Sequence, residues 1–240
     1  MISIIIPTLN EEKLLDGMIS QFSSLVRERH NLEIIVSDGG SKDRTLSIAH
    51  QNRTVVVENT DGVKQTISLG RNIGAHHARG DILVFLNADT RIHDLELFFQ
   101  RIREEIEKPE VVAVTCSVEV YPEEAGTIDD LYHGFYNWLF SMMNRVGMGM
   151  GRGECHVMKR TTFETIKGYS ASIAAGEDYD LFRRLESLGR IVFMQDVLVY
   201  ESPRRYRKYG YVYVTASWFL NFLSVFFFRR SILSEWKPVR

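Results

Sequence analysis

The sequence predicts an α/β fold, with a mostly parallel central sheet flanked by helices and a hydrophobic helical appendage at the C-terminal end. Three observations predict it. The first 90 of the 240 residues alternate short β-branched runs with polar, helix-like stretches, which is the pattern of βαβ units. Hydrophobic residues make up 45% and charged residues 25% of the chain, a composition typical of a folded core. An uncharged, aromatic-rich run, Tyr211–Phe228, follows this body.

Strands and helices alternate regularly at the start of the chain. The predicted strands are residues 2–6, 34–37, 55–58 and 82–86, and the predicted helices are residues 11–29, 44–51 and 68–78. The strands end in polar loops. Ligands of open α/β sheets bind outside the carboxyl ends of the strands, so these loops are the expected ligand region.

The later elements are less regular. Strands are predicted at residues 111–120, 155–159 and 191–193, and helices at residues 95–107 and 178–188. Residues 131–150 are rich in aromatic residues, Met and Gly, which favours an adaptable rim over a regular core helix. The glycine-rich residues 147–153 lack the Lys-Ser/Thr ending of a phosphate loop, so we interpret them as a flexible lid.

The predicted domain boundaries follow a change in composition. We predict one catalytic body over residues 1–202, with halves at 1–90 and 91–202, and a C-terminal segment over residues 203–240. That last segment contains eight basic residues and one acidic residue, whereas the body contains 21 basic and 30 acidic residues. A nearly neutral total of −2 therefore combines an acidic body with a basic tail. This asymmetry predicts a polyanionic partner such as anionic lipid, and we predict no nucleic-acid partner.

The cysteines and the first residues bear on the compartment. The chain has two cysteines, Cys116 and Cys155, and opens on an apolar run without a basic leader region. We therefore expect a cytoplasmic protein with two buried, reduced thiols.

Two polar loops carry candidate nucleotide contacts. Thr8, Asn10 and Glu11 follow the first strand, where such residues also cap or begin a helix. Asp38 ends the second strand beside paired glycines, Gly39 and Gly40. Its carboxylate has two open interpretations: a hydrogen-bond acceptor for a nucleobase, or an Asx turn within the loop.

Two acidic motifs carry candidate chemistry. The apolar strand at residues 82–86 leads directly to Asp89, and a carboxylate placed there suits Mg²⁺ or Mn²⁺ bound together with substrate phosphates. The alternative is a helix cap. Glu177, Asp178 and Asp180 lie within four positions at a predicted helix start. They either compensate the helix dipole or provide a general base, because neighbouring carboxylates raise one another's pKa.

Four motifs in one order resemble a known family. PTLNEE, VSDGGSKDRT, GRNIGAHHARGDILVFLNADT and GEDYDLFRRL resemble glycosyltransferase family 2 over residues 2–200. The resemblance implies the GT-A fold, in which a Rossmann-like, mostly parallel sheet carries the site. It also implies a nucleoside-diphosphate-sugar donor, a divalent metal (Mg²⁺ or Mn²⁺) and transfer that usually inverts the anomeric carbon.

The resemblance assigns roles position by position. The implied donor contacts are Pro7, Thr8, Asn10, Glu11, Asp38, Arg71, Asn87 and Ala88. Asp89 matches the metal-binding second acid of the family's D-x-D motif, while Asn87 stands in place of the first acid and contributes no charge. Asp178 matches the catalytic base, with Glu177 as its neighbour. If the acceptor is a phosphate, Asp178 would mainly orient it.

Other functions remain open at this stage. A retaining sugar transferase and a nucleotidyltransferase would share a similar fold. A nucleotide-sugar-binding membrane scaffold without turnover is a third alternative, for which Asn87 is the hint.

The C-terminal segment predicts attachment to a membrane. Tyr211–Phe228 is near the minimum length of an apolar span, and it would span the bilayer, lie on it, contact a second copy or pack as a core helix. Basic residues flank it at Arg204, Arg205, Arg207, Lys208, Arg229 and Arg230. The first four would contact a diphosphate or lipid phosphate, or form a solvated face. We expect an enzyme at the cytoplasmic face of the membrane that meets a lipid-linked acceptor such as a polyprenyl phosphate.

Overall fold

A single mixed sheet forms the centre of the molecule in the computed structural model, which describes residues 1–60, 62, 65–173, 175–228, 230–231 and 239. The described strands are β1 (Ile2–Thr8), β2 (Leu32–Asp38), β3 (Val55–Glu58), β4 (Ile82–Leu86), β5 (Arg91–Ile92), β6 (Val111–Val120), β7 (Cys155–Lys159) and β8 (Arg190–Glu201). Their order across the sheet is β3-β2-β1-β4-β7-β6-β8-β5. Four of these seven neighbouring pairs are parallel, which agrees with the predicted fold class.

Helices cover both faces of this sheet. They are α1 (Leu15–Ser20), α2 (Ser24–His30), α3 (Thr45–Gln51), α4 (Ile67–His77), α5 (Leu95–Ile106), α6 (Thr127–Arg145), α7 (Arg160–Thr165), α8 (Glu177–Glu186), α9 (Arg204–Tyr209) and α10 (Tyr211–Phe228). Ile4 and Ile6 of β1 pack in one hydrophobic cluster and Ile5 packs in the other, on the opposite face. Because β1 is buried on both faces, its residues are apolar in a nearly continuous run instead of alternating with polar residues.

Some predicted boundaries were wrong. The single helix predicted at residues 11–29 is two helices, α1 and α2, because the side chain of Ser23 accepts a hydrogen bond from the Val26 amide and caps a new helix. The strand predicted at residues 191–193 is the 12-residue β8. The short strand β5, which pairs with β8, was not predicted.

The largest correction concerns residues 131–150. Instead of an irregular rim, most of this stretch belongs to α6, a helix of 19 residues. The following residues are also ordered by packing: Met150 and Arg152 are buried, and the Asn144 side chain exchanges two hydrogen bonds with the Met150 backbone. Residues 149–152 of the predicted flexible lid are therefore packed in the interior, whereas Gly147 and Met148 are exposed.

The C-terminal helix α10 packs on α8 and α9 through one face, which buries Val214, Asn221 and Val225. Phe219 and Phe227 on other faces are exposed. Its length and composition would allow it to cross a membrane, and 17% of it is buried. Of the predicted basic flank, Arg229 lies outside the described residues.

Candidate active site

A cavity of about 430 Å³ opens where β1 and β4 end, as expected for a parallel sheet. Eleven of the fifteen predicted site residues line it. They are Pro7, Thr8, Glu11, Arg71, Asn87, Ala88, Asp89, Glu177, Asp178, Arg204 and Arg205. The fold thus brings the three sequence motifs that follow β1, follow β4 and begin α8 to the same place.

The other four predicted residues lie outside the cavity lining. Asp38 is buried and accepts hydrogen bonds from the Thr8 hydroxyl and from the Gly40 and Ser41 amides, which is the Asx-turn arrangement. Asn10 accepts a hydrogen bond from the Lys42 amide. These contacts hold the two loops together at the cavity edge.

The remaining two are basic residues of α9. The guanidinium of Arg207 donates to Asp129 and to the backbone oxygen of Glu124. Lys208 is exposed, with its ammonium over the ring of Tyr209. Of the four basic residues proposed for a phosphate, only Arg204 and Arg205 therefore line the cavity.

Asp178 is the strongest candidate for a general base. It lies in the first turn of α8, directly after Glu177, and Gly176 enters this helix with a φ of 78°, a conformation that glycine adopts without strain. Burial, followed by the charge of Glu177, raises the pKa of Asp178 to about 8. A carboxyl group with such a pKa is mostly protonated at neutral pH, so it acts as a general base through its ionised fraction, which grows as the pH rises toward 8.

Arg71 holds the Asp178 turn in position. It is fully buried on α4, and its guanidinium donates to Glu177 at 2.7 Å, to the backbone oxygen of Gly153 at 2.7 Å and to the Asn87 side chain at 3.1 Å. One side chain thus connects both acidic motifs. Asn87 accepts this bond as a neutral group, so it contributes no further negative charge here.

Asp89 faces a cation from the C-terminal segment. Arg204 of α9 lies 3.1 Å from the Asp89 carboxylate and 3.0 Å from that of Glu11. Burial raises the pKa of Asp89, whereas Arg204 opposes this shift. This single cation therefore pairs with both of the acids that the resemblance assigns to the metal and the nucleotide, and it offsets one of their two negative charges.

The donor set suits a hard divalent cation. The described lining has six carboxyl groups and four guanidinium groups, so it carries excess negative charge when all are ionised. An oxygen of Glu154 is buried without a hydrogen-bond partner among the described residues. No group of three or more His, Cys, Asp or Glu ligands occurs in that part of the chain. Asp89, with Glu154 nearby, fits a cation that takes its other ligands from substrate phosphates and water.

Sequence reasoning missed an ionic cluster in the cavity lining. Arg152 lies 2.7 Å from Glu201 and 3.4 Å from Glu154, and the Tyr206 hydroxyl donates to Glu201 at 2.9 Å. Burial and Glu154 raise the pKa of Glu201. Burial and Arg152 lower the pKa of His133 to about 3, so this ring is neutral. These residues lie far apart in sequence. The glycine-rich stretch around Arg152 was interpreted as a flexible lid, so a buried ion pair was not expected there.

Aromatic side chains form one wall of the cavity. Phe140 of α6, Tyr179 of α8, and Trp218 with Asn221 of α10 contribute to it. The C-terminal helix is therefore part of the cavity itself. A ligand with both charged and apolar parts matches this division of the lining.

Comparison with known proteins agrees with the sequence motifs. Residues 3–167 match the family model of glycosyl transferase family 2. The undecaprenyl-phosphate 4-deoxy-4-formamido-L-arabinose transferase of Pseudomonas fluorescens is 32% identical over 97 residues, which are 37% of this chain and 27% of that protein. The dolichyl-phosphate beta-glucosyltransferase ALG5A of Trichomonas vaginalis is 28% identical over 42% of this chain and 35% of its own.

Solved structures show the same fold at low identity. The mannosyltransferase PcManGT from Pyrobaculum calidifontis, in complex with GDP-Man and Mn²⁺, has a TM-score of 0.68 and 22% identity, over 84% of this chain and 56% of that chain. Glucosyl-3-phosphoglycerate synthase from Mycobacterium tuberculosis, in complex with Mn²⁺ and UDP, has a TM-score of 0.59 and 18% identity, over 94% and 78%.

The curated relatives and the family model match different shares of the chains. The chain spans about a quarter to a third of the length of the two curated relatives. The family model, in contrast, covers more than half of this chain. This protein belongs to glycosyl transferase family 2.

Proposed function

We propose that this protein is a metal-assisted, inverting glycosyltransferase that moves a sugar from a nucleoside-diphosphate sugar to a lipid-linked acceptor. One observation carries the proposal: Asp178 and Asp89 line the same cavity as Trp218 of the hydrophobic helix α10. A candidate base, a candidate metal ligand and an apolar wall thus surround one volume.

The proposed donor contacts lie on the strand-end side of the cavity. Pro7, Thr8, Glu11, Asn87 and Ala88 would surround the nucleotide, with Asn10 and Asp38 shaping the loops that hold it. Mg²⁺ or Mn²⁺ held by Asp89 would neutralise charge on the departing diphosphate.

The guanidinium of Arg204 forms ion pairs with both Asp89 and Glu11. We propose that Arg204 and its neighbour Arg205 contact the donor's phosphates when these are present, because guanidinium groups bind phosphate through paired hydrogen bonds.

The proposed step is a direct displacement. Asp178 takes the proton of an acceptor hydroxyl while that oxygen attacks the anomeric carbon, and the bond from this carbon to the diphosphate oxygen breaks. Arg71 and Glu177 keep the carboxyl group oriented. With an acceptor phosphate, which is already ionised, Asp178 orients the attacking oxygen instead.

The acceptor class is supported by two further observations. The outer face of α10 is apolar, and two family relatives act, by name, on undecaprenyl phosphate and dolichyl phosphate. Because Val214 and Val225 are packed against the body, we propose that α10 lies along the cytoplasmic face of the membrane instead of crossing it. Contact with a second copy is the alternative for the same face.

A transfer assay tests this function. The protein is incubated with Mn²⁺, UDP- or GDP-sugars and vesicles that contain a polyprenyl phosphate, and the lipid fraction is analysed by mass spectrometry. We expect a glycosylated lipid that chelation abolishes. Asp178→Asn should reduce this transfer less than it reduces transfer to a hydroxyl acceptor, because the acceptor phosphate is already ionised. Donor binding without any transfer or hydrolysis, for all donors tested, would instead favour a non-catalytic scaffold.

The stereochemistry of the product tests the mechanism separately. The anomeric proton of the product, followed by NMR, should show inversion relative to the donor. Retention would contradict the direct displacement while leaving the transferase activity in place.

A further inference from the structure

The exposed face of α6 is apolar along most of its length. Leu131, Phe135, Trp138 and Met142 are spaced by three or four residues and therefore lie on one side of the helix. Their exposed fractions are 71%, 53%, 56% and 38%. A surface helix normally presents polar residues to water, so this arrangement is inverted relative to an ordinary helix. We call these four residues the α6 stripe.

The opposite face of α6 is fixed to the protein. His133, Phe140 and Ser141 are buried there, and Phe140 reaches the cavity. The helix therefore cannot turn its stripe inward without dismantling the aromatic wall. Within the described part of the chain, nothing buries the stripe.

The α6 stripe belongs to a helix that packs beside α10. The Tyr132 hydroxyl lies 3.0 Å from that of Thr215, and the rings of Tyr136 and Trp218 meet edge to face at 5.9 Å. Phe219 and Phe227 of α10 are also exposed. Two neighbouring helices thus both present aromatic side chains to the outside.

Basic residues border these two helices. Arg145 ends α6 and is exposed. Arg207 and Lys208 are exposed on α9, directly before α10, and Arg207 contacts the first turn of α6 through Asp129. Asp130 is the exposed acid at the start of α6. Cations beside exposed Trp and Phe residues match an anionic bilayer surface, where aromatic rings occupy the headgroup level.

We propose that the α6 stripe is a second membrane-binding element, which inserts into the interface of an anionic bilayer beside α10. This inference rests on the proposed membrane location but assigns it to residues that lie outside the four sequence motifs. A helix of 19 residues is roughly 28 Å long. Lying in the interface, it would hold the aromatic wall of the cavity close to the lipid surface, where a lipid-linked acceptor is found.

Flotation with vesicles of phosphatidylglycerol and phosphatidylcholine tests the stripe. The full chain carries Phe135→Ser and Trp138→Ser together, and the matched control carries Leu25→Ser and Leu188→Ser, which replace exposed apolar residues elsewhere (62% and 45% exposed). We expect the first variant to lose about 10-fold or more of its lipid affinity, since two aromatic side chains no longer insert. The control should float like the wild type.

A second measurement leaves the four residues of the α6 stripe unchanged. With Trp218→Phe and Trp236→Phe, Trp138 is the remaining tryptophan, and brominated phospholipid should quench its fluorescence in vesicles. The inference is overturned if Trp138 is not quenched and the stripe variant floats like the wild type. It is also overturned if sedimentation shows a dimer that the stripe variant makes monomeric while its flotation is unchanged.

The outcomes separate this inference from the proposed function. Donor hydrolysis in solution does not need the bilayer, so the stripe variant should keep it. Stripe-dependent flotation without any donor turnover would remove the proposed function and leave the membrane surface. Donor turnover together with unchanged flotation of the stripe variant would remove this inference and leave the proposed function.

Discussion

The two halves of the molecule are built from different kinds of contact. In residues 1–90, β1 pairs in parallel with both β2 and β4, and the side chains between them are apolar. In the part of the chain that follows, β7 is antiparallel to both of its neighbours. A buried ionic cluster there connects Arg152, in the loop before β7, with Glu201 of β8 and Tyr206 of α9. The first half presents loops to a ligand, and the second supplies charged and aromatic walls.

The difference shows that the first half owes its structure to local sequence patterns, whereas the second half depends on contacts between residues distant in sequence. The strands and loops of the parallel half follow from local sequence patterns. The second half depends on side chains that meet only after folding, and it carries the residues that we assign to the acceptor.

The largest expected effect is at Asp178, which the second half contributes opposite the nucleotide loops. Asp178→Asn keeps the size of the side chain but cannot accept the acceptor's proton, so turnover with a hydroxyl acceptor should fall by roughly 10² to 10⁴-fold. Steady-state kinetics and donor titration measure this. Donor affinity should be retained, and near-normal turnover would rule out a role as base.

The next effect is on stability, at the ion pair that joins the halves. Arg71→Met leaves the largely buried Glu177 without its cation, and breaking such a pair costs about 3–5 kcal/mol. Urea unfolding of this variant is compared with Arg91→Met, which removes an exposed pair with Glu123 and should change the free energy of unfolding little. Equal losses of unfolding free energy in the two variants would mean that the buried Arg71–Glu177 pair contributes no more to stability than an exposed pair.

A third prediction compares two neighbours at the end of β4. Asp89→Ala should abolish the dependence of donor binding on Mn²⁺, because Asp89 brings the negative charge. Asn87→Ala should weaken donor binding less, since it removes a neutral partner of Arg71. Calorimetric titration of a nucleotide sugar with and without Mn²⁺ distinguishes them. Equal losses from both changes would show that the ligand is wrongly assigned.

The fourth expected effect is a change of stability with pH. Since the pKa of Asp178 is raised to about 8, the folded protein retains a proton that the unfolded chain loses above about pH 4. The contribution of this group to the free energy of unfolding therefore falls as pH rises from about 4 to about 8. Wild type should lose stability relative to Asp178→Asn across that window in urea unfolding. Asp130→Asn, at an exposed site, should follow the wild type.

The sequence predicted the first half well because its signals are local. Strand positions and the polar loops after them follow from short apolar runs, and Asp89 was placed correctly at a strand end. The α6 helix was not predicted, because apolar residues occur on its exposed face as well as on its buried face. Its sequence therefore lacks the alternation of polar and apolar residues that marks a surface helix. Arg152 and Glu201 were missed for another reason: 49 positions separate them, and only β7, β8 and α9 bring them together.

The position of α10 has a thermodynamic consequence. Trp218 and Asn221 belong to the cavity wall, while Phe219 and Leu220 between them are exposed. If lipid contact shifts this helix toward the arrangement that favours the donor, the donor must tighten lipid binding by the same factor, because coupling between two binding sites is reciprocal. The protein would then accumulate on the bilayer when its sugar donor is plentiful and leave it when the donor is scarce.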